Sequence, residues 1–156
     1  MNYDEEYDPF NTGSWDDSIA NYDEAFVVEQ VLKKYIDLGV SPDSIGIITP
    51  YWAQVSILRS LIWTDPKLRN VEIRTVDGYQ GREKEMIILS FVRSNESKEV
   101  GFLEETRRVN VSVTRGKRCC VIIGNSDTLR SDKGLRSLLK FCKIHQGSYV
   151  HVSKFL

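Results

Sequence analysis

Residues 71–95 read VEIRTVDGYQGREKEMIILSFVRSN, and this stretch decides the fold class. Its end, Met86 to Val92 (MIILSFV), is a near-continuous apolar run, typical of a strand buried on both faces of a parallel sheet. Its beginning, Val71 to Val76, alternates apolar and polar residues as a half-buried strand does. The stretch therefore predicts two strands joined by a polar loop.

Two further apolar runs predict strands on either side of this stretch, SIGIIT at 44–49, which Pro50 stops, and CCVIIG at 119–124. Apolar residues with the period of a helix predict three helices, over 28–35, 55–62 and 135–144. The first of these helices is expected to end at Leu38-Gly39, because glycine readily adopts the left-handed conformation of a helix cap. Strands separated by helical patterns predict an α/β fold with a parallel sheet and helices on both faces.

The segment RRVNVSVTR, residues 107–115, allows two interpretations. Val109, Val111 and Val113 alternate with polar residues, so periodicity alone favours a strand. If the segment is a helix instead, Val109 and Val113 pack one turn apart. On that interpretation Arg108 and Arg115 lie two turns apart on one face.

The composition indicates a globular protein, since 41% of the 156 residues are hydrophobic and 28% are charged. We expect residues 1–18 to be an acidic loop or disordered leader, and residues 19–156 to form one domain. Residues 1–24 hold eight acidic side chains and no basic one, so the rest of the chain carries +7 although the net charge is −1. That asymmetry permits a phosphate-binding face, but a basic solvated surface explains it equally well.

Targeting and metal-binding signals are weak in this sequence. No apolar run approaches the length of a membrane span, and the acidic start is unlike a signal peptide, so we expect an intracellular protein in the nucleus or the cytoplasm, without a membrane partner. Three cysteines with His145 and His151 are a poor zinc set, and no metal ligands are assigned. Packing in the core is the expected role of Cys119, Cys120 and Cys142.

Nucleotide-binding motifs of the usual kind are absent from this sequence. No G-x-x-x-x-G-K-[ST] loop occurs, so the chain lacks the usual means of holding a triphosphate by itself. The tetrapeptide DEAF at 23–26 imitates the acidic pair that holds Mg²⁺ in helicase motors, but no buried apolar strand precedes it. A capping box explains this segment better, with the Asn21 and Glu24 side chains each bonding a free backbone N–H at the start of a helix.

Three blocks at the ends of predicted elements are the candidate functional segments: ITPYWAQ at 48–54, TVDGYQGREKE at 75–85 and RRVNVSVTRGK at 107–117. The first places a hydroxyl and a tyrosine at the carboxyl edge of the sheet, where ligands bind in α/β folds, although an ordinary strand-to-helix turn also explains it. The second has more polar residues than a turn needs, and a solvated turn is its alternative. The third holds arginines suited to phosphate, or to a structural network with carboxylates.

In this order and spacing the blocks resemble motifs IV, V and VI of superfamily 1B helicases of the Upf-like branch. The resemblance spans about residues 21–156 and is carried by the runs at 71–95 and 100–115. It implies the second RecA-like domain of a P-loop NTPase fold, without the P-loop itself. It also implies that the motif VI segment, 107–115, is a helix rather than a strand.

The resemblance also implies roles for individual residues. The nucleotide-facing loop would comprise Gln80, Gly81, Arg82 and Glu83, with the Glu83 carboxylate on the ribose. Arg115 matches the arginine finger, the catalytic residue of the set. Residues matching positions along a single strand of nucleic acid are Thr49, Pro50, Tyr51, Thr75, Val76 and Asp77, with Arg93, Ser94 and Asn95 as further candidates.

Two departures from the family's pattern bear on the fold. Gly116 stands where the family usually has alanine, and glycine costs about 1 kcal/mol in a helix interior, so the motif VI helix is expected to end early. The acidic leader begins about where the family's first strand of this domain ends. The sheet is therefore expected to lack a strand and to expose an edge.

The function implied by the resemblance is the C-terminal motor domain of an ATP-dependent 5′→3′ DNA or RNA helicase, inactive as an ATPase alone. ATP and Mg²⁺ would be held mainly by a first RecA-like domain that this sequence lacks. The other implied partners are single-stranded DNA or RNA and replication or RNA-processing proteins. Two alternatives remain open, a nucleic-acid-dependent ATPase or translocase that separates no strands, and a non-catalytic nucleic-acid-binding module.

Overall fold

The structure, a computed structural model, describes residues 19–145 and 149–154. Its centre is a four-stranded parallel sheet in the order β2-β1-β3-β4. The strands are β1 (Ile45–Thr49), β2 (Glu72–Thr75), β3 (Lys84–Ser90) and β4 (Gly116–Ile123). The helices are α1 (Tyr22–Asp37), α2 (Trp52–Ile62), α3 (Thr106–Val113), α4 (Ser126–Leu129) and α5 (Lys133–Ile144). The predicted α/β fold is confirmed, while the leader at 1–18 lies outside the described residues.

Alternating side chains of the strands build two separate apolar layers, one on each face of the sheet. On one face α1 and α2 pack against side chains such as Ile47 and Ile88. On the other face α3, α4 and α5 pack against side chains such as Ile87 and Leu89. This arrangement explains why the β3 run is apolar at nearly every position, since both of its faces are covered.

Periodicity alone predicted the wrong element for the segment at 107–115. Residues Thr106–Val113 form a helix, as the resemblance implied, and Val109 and Ser112 are its buried residues. Topology explains the outcome, because β4 pairs with β3 in parallel and a parallel connection needs a crossover element. A strand there would form an antiparallel hairpin with β4, whereas the helix buries Val109 and Ser112, with Val109 in the apolar layer on one face of the sheet.

Gly116 opens β4 rather than continuing α3, so the expected early end of that helix is confirmed. A Cβ at this position would overlap the carbonyl oxygen of Cys119, where the register between β3 and β4 is irregular. Glycine is therefore required by a close backbone approach at a bulge.

The two outer strands of the sheet are protected differently. In the part of the chain that the structure describes, β4 pairs only with β3, and Lys117 and Arg118 are exposed on it. On β2 the carbonyl of Ile73 accepts hydrogen bonds from the Arg59 guanidinium at 2.8 and 3.3 Å, and that guanidinium also stacks on two tryptophan rings. Among the described residues β4 is therefore the more open edge, and the expectation that the sheet lacks a strand stays a prediction.

None of the helices described is long and apolar enough to cross a membrane. Cys119 and Cys120 pack against opposite layers of the core, and burial raises the pKa of the Cys120 thiol to about 12. Cys142, on α5, is only half-buried.

Candidate functional site

Residues predicted to contact nucleic acid meet at the carboxyl edge of the sheet, where β1, β2 and β3 end. Thr49 and Thr75 are partners in the register of β1 and β2, and the Val76 N–H donates to the Thr49 carbonyl at 3.1 Å. Tyr51 begins the turn into α2, and Arg93 lies beyond β3. Ligands of α/β sheets bind beyond this edge, so the fold brings these residues to a suitable place.

The predicted residues differ in how much of each side chain reaches the surface. Thr49, at 1% exposure, and Pro50 and Val76 are buried, so they offer little surface to a ligand. The Thr49 hydroxyl is buried without a hydrogen-bond partner among the described residues. Tyr51 and Thr75 are half-buried and Asp77 is exposed.

Two aromatic rings in a tilted contact and a guanidinium extend this edge. The Tyr51 and Phe102 rings have their centres 6.1 Å apart, and the Arg108 guanidinium carbon lies 4.1 Å from the centre of the Phe102 ring. Arg108 is held by Asp77 at 3.5 Å and by Glu105 at 3.1 Å. We call this the carboxyl-edge cluster, which consists of Tyr51, Thr75, Asp77, Arg93, Phe102 and Arg108.

Sequence reasoning did not assign Phe102 or Arg108 to this surface. Phe102 follows Gly101, whose φ is +54°, in a short 3₁₀ segment at 101–104. A Cβ on Gly101 would lie 3.1 Å from Arg93 Nη2 and 3.3 Å from the Tyr51 hydroxyl. An aromatic residue next to glycine in a charged loop is the signal that could have indicated this contact.

The further candidates Arg93, Ser94 and Asn95 have mostly internal contacts. Arg93 has 14% of its side chain exposed, and its Nε donates to the Glu99 carbonyl at 3.0 Å. The Ser94 hydroxyl accepts from Asn125 Nδ2 at 2.8 Å. Asn95 closes the following turn, since its Oδ1 accepts from the Glu99 N–H and its Nδ2 donates to the Glu99 carbonyl, both at 2.8 Å.

The predicted nucleotide-facing loop leaves the carboxyl edge and returns to the opposite, amino edge. Residues 76–83 connect the end of β2 to the start of β3, which is parallel to it, so they must cross the face of the sheet. The segment packs through Tyr79, which is fully buried, and a Cβ on Gly46 of β1 would overlap its hydroxyl. Gly81 has a φ of +74°, which suits glycine at this bend.

This crossing separates residues that the sequence grouped together. Gln80 lines a cavity of about 230 Å³ between the crossing segment and α3, with Asp77, Arg107 and Arg108 among its other lining residues. At the amino edge, the Lys84 N–H donates to the Arg115 carbonyl at 3.1 Å, so Glu83 and Arg115 are brought close together. We call Arg82, Glu83 and Arg115 the amino-edge cluster.

Charge pairing differs within the amino-edge cluster. Arg82 pairs with Glu72 at 2.7 Å, and Glu83 pairs with Lys117 at 3.1 Å. Arg115 donates to the Val111 carbonyl at 3.0 Å and to the Thr114 hydroxyl at 3.2 Å, and no carboxylate of the described residues pairs with it. A structural network with carboxylates therefore does not account for Arg115.

Glu24 is a buried carboxylate that sequence reasoning placed only in a capping box. The cap is half confirmed, because Asn21 Oδ1 accepts from the Glu24 N–H at 2.9 Å. The reciprocal bond is absent, since the Asn21 N–H donates instead to Gln54 Oε1 at 2.8 Å. Glu24 Oε1 accepts from the Ser90 hydroxyl and the Val92 N–H, each at 2.7 Å. Burial raises the pKa of Glu24 to about 7, although these hydrogen bonds oppose the rise.

Residues Asp23 to Phe26 lie in the first turns of α1 and not at the end of a strand, so the interpretation of DEAF as a mere imitation of a metal-binding pair agrees with the structure. Within residues 19–145 and 149–154, no group of His, Cys, Asp and Glu side chains could hold a metal ion.

A family model described as "AAA domain" matches residues 2–127. Among curated proteins, the DNA polymerase alpha-associated DNA helicase A of Saccharomyces cerevisiae is 48% identical over 125 residues, which are 79% of this chain and 18% of that protein. The DNA-binding protein SMUBP-2 of Rattus norvegicus is 44% identical over 129 residues, 82% of this chain and 13% of that protein.

A third relative, the regulator of nonsense transcripts 1 of Dictyostelium discoideum, is 40% identical over 131 residues, 81% of this chain and 10% of that protein. The chain thus spans between 10% and 18% of the length of these three relatives.

Proposed function

The chain belongs to the AAA domain family found in Upf-like superfamily 1 helicases, and from this membership we propose that it is the second motor domain of an ATP-dependent 5′→3′ helicase. Its α/β fold is RecA-like. The proposed substrate is single-stranded DNA or RNA, and the proposed domain partner is a first RecA-like domain that carries the phosphate-binding loop.

One observation carries this proposal. Residues 75–83 run from the carboxyl-edge cluster, across the sheet, to the amino-edge cluster. One end of this segment therefore lies among aromatic and cationic groups suited to a nucleic-acid strand. The other end lies beside a guanidinium that has no carboxylate partner among the described residues. A continuous backbone segment of this kind can carry coupling between two ligand sites.

The carboxyl-edge cluster has the chemistry of a surface for single strands. Aromatic rings such as Tyr51 and Phe102 stack on bases of any sequence, and cations such as Arg108 attract the phosphate backbone. Asp77 and Glu105 hold Arg108 in place and partly neutralise it. We therefore expect binding that is weak, independent of sequence and sensitive to salt.

The amino-edge cluster is suited to a nucleotide held mainly by another domain. The Arg115 guanidinium can approach charge that develops on the γ-phosphoryl, and the exposed Glu83 carboxylate can accept hydrogen bonds from a ribose. ATP, when bound, supplies the free energy of hydrolysis. We propose that Mg²⁺ is held mainly by the other domain, because the described residues offer no set of ligands for it.

The proposal is tested by ATP turnover in two samples. The chain alone should show no turnover above background, with or without single strands, because a phosphate-binding loop is absent from its sequence. The full-length protein, in which this domain follows a phosphate-binding domain, should hydrolyse ATP and be stimulated by single strands. Turnover that copurifies with the chain alone, or a full-length protein that binds strands without hydrolysing ATP, would contradict the proposal.

A further inference from the structure

The backbone makes an unusual turn directly after β3. Val92 has a φ of +69°, and the Arg93 N–H donates to the Phe91 carbonyl at 2.7 Å. This pair of features belongs to the rare γ-turn with positive φ, which is strained. A β-branched residue is especially unfavourable there. The surrounding structure must therefore hold Val92 in this conformation.

Side chains from the start of α1 hold both polar backbone groups of Val92. Its N–H donates to Glu24 Oε1 at 2.7 Å, and its carbonyl accepts from Asn21 Nδ2 at 3.0 Å. Gln54 completes the network from α2, since its Nε2 donates to the Asn21 carbonyl at 3.1 Å and to the Ser90 hydroxyl at 3.2 Å. Two helices and the end of β3 thus meet at this turn.

The turn at Val92 sets the position of the Arg93 side chain. The Arg93 side chain lies beside the Tyr51 hydroxyl and against Gly101, the residue that precedes Phe102. Its Nε also donates to the Glu99 carbonyl at 3.0 Å, which ties it to the loop that carries Phe102. A change in the Val92 conformation would displace Arg93 and, with it, the two aromatic rings of the carboxyl-edge cluster.

We propose that Glu24 is a positioning residue of the carboxyl-edge cluster, which with Asn21 holds the Val92 turn and so sets Arg93 against Tyr51 where a single strand binds. Glu24 does not touch the strand itself, since it is only 7% exposed. This inference rests on the proposed function. A buried carboxylate is costly where an apolar side chain could pack, so stability alone is a poor reason for its presence.

The test measures the affinity of this chain for a fluorescent oligothymidylate, at a temperature where circular dichroism shows each variant folded. We expect Glu24→Ala to weaken binding about 10-fold, while Glu24→Gln, which keeps an acceptor oxygen, stays within about 2-fold of wild type. Glu29→Ala is the matched control, because Glu29 is a buried carboxylate of the same helix that pairs with Lys33 away from the turn. It should leave the affinity unchanged.

Asn21→Ser is a second variant in case Glu24→Ala fails to fold. Serine still caps a helix but has no amide donor for the Val92 carbonyl. We expect it to weaken binding in the same direction as Glu24→Ala and to a smaller extent.

A double-mutant cycle shows whether Glu24 acts through Arg93. Once Arg93→Ala is present, Glu24→Ala should cause no further loss of affinity. Additive losses, or equal losses in Glu24→Ala and Glu29→Ala, would overturn the positioning role while the proposed function stands. A wild-type chain that binds no single strand would instead overturn the proposed function, and this inference with it.

Discussion

The two clusters differ in how completely the domain itself organises them. In the carboxyl-edge cluster, the Phe102 ring contacts the tilted Tyr51 ring and the Arg108 guanidinium, and Arg93 is fixed by the turn that Glu24 and Asn21 hold. In the amino-edge cluster, Arg82 and Glu83 are exposed and form surface ion pairs, which contribute little to stability. Among the described residues, the Arg115 guanidinium bonds two oxygens of its own segment, the Val111 carbonyl and the Thr114 hydroxyl.

This difference indicates which of the two clusters binds its ligand without another domain. A preorganised surface can bind its ligand without help, whereas the Arg115 guanidinium, which pairs with no carboxylate of the described residues, can contact a ligand held by a second surface. Substitutions in the carboxyl-edge cluster should therefore change what the chain does alone. Those in the amino-edge cluster should show their effects only in the full-length protein.

The largest effect is expected from Arg115→Ala in the full-length protein. An arginine that stabilises charge on the transferred phosphoryl is worth roughly 10³–10⁵ in turnover, so we expect a loss of about 10³-fold or more. Nucleotide affinity should fall much less, because the variant leaves intact the phosphate-binding loop proposed for the other domain. Steady-state turnover and nucleotide binding measure the two effects.

Thermal unfolding of the chain alone is the control for Arg115→Ala. Because no carboxylate of the described residues pairs with Arg115, its melting temperature should stay close to that of wild type. A lower melting temperature together with turnover reduced only in proportion to the unfolded protein would assign Arg115 a structural role.

A smaller effect is expected from the ionisation of Glu24, which changes the free energy of unfolding of the chain. The pKa of Glu24 is raised from 4.5 to about 7 in the folded chain, so the folded state binds this proton more tightly than the unfolded state does. The resulting stabilisation is fully present below the unfolded pKa and is lost as pH rises through the folded pKa.

Urea unfolding of wild type and of Glu24→Gln isolates this contribution, because the other titrating groups are the same in both proteins. Between about pH 5 and about pH 8, the free energy of unfolding of wild type should fall by roughly 2 kcal/mol relative to that of the variant. A difference between the two proteins that does not change with pH would mean that Glu24 is ionised throughout. Its hydrogen bonds would then outweigh its burial.

The sequence predicted the strands well because their apolar runs reflect burial within short segments. It failed at 107–115, where the valines alternate, because a helix there packs Val109 against the sheet while connecting the parallel strands β3 and β4. Periodicity within nine residues carries no information on the strand that follows. The family resemblance supplied the helix that the local pattern could not.

The candidate site was predictable where residues lie at the end of a strand, as Thr75 does, or just beyond it, as Tyr51 does. Phe102 and Glu24 were missed because their roles depend on distant partners. Glu24 bonds Ser90, 66 positions away in the sequence. One local signal did exist, since Glu24 lies on the apolar stripe of α1 with Ala25, Val28 and Leu32, where a carboxylate is out of place.

A still smaller effect, on the salt dependence of single-strand affinity, should distinguish the two clusters. Each cation that contacts a phosphate of a single strand adds about 0.7 to the slope of log affinity against log salt. Arg108→Gln should reduce that slope by about this amount, and Arg115→Ala should leave it unchanged. A titration of the labelled oligonucleotide at several salt concentrations measures the slopes. Equal slopes in all three proteins would place the backbone contacts elsewhere.

The most direct test of the division between the clusters compares Phe102→Leu with Arg115→Ala in the chain alone. Both variants are titrated with the same single strand at a temperature where both are folded. Leucine keeps the apolar packing of Phe102 but removes the ring, so affinity should fall about 10-fold, as expected for the loss of stacking on one base. Arg115→Ala should bind like wild type. A large loss in Arg115→Ala with none in Phe102→Leu would show that the strand lies at the amino edge, which would contradict this account.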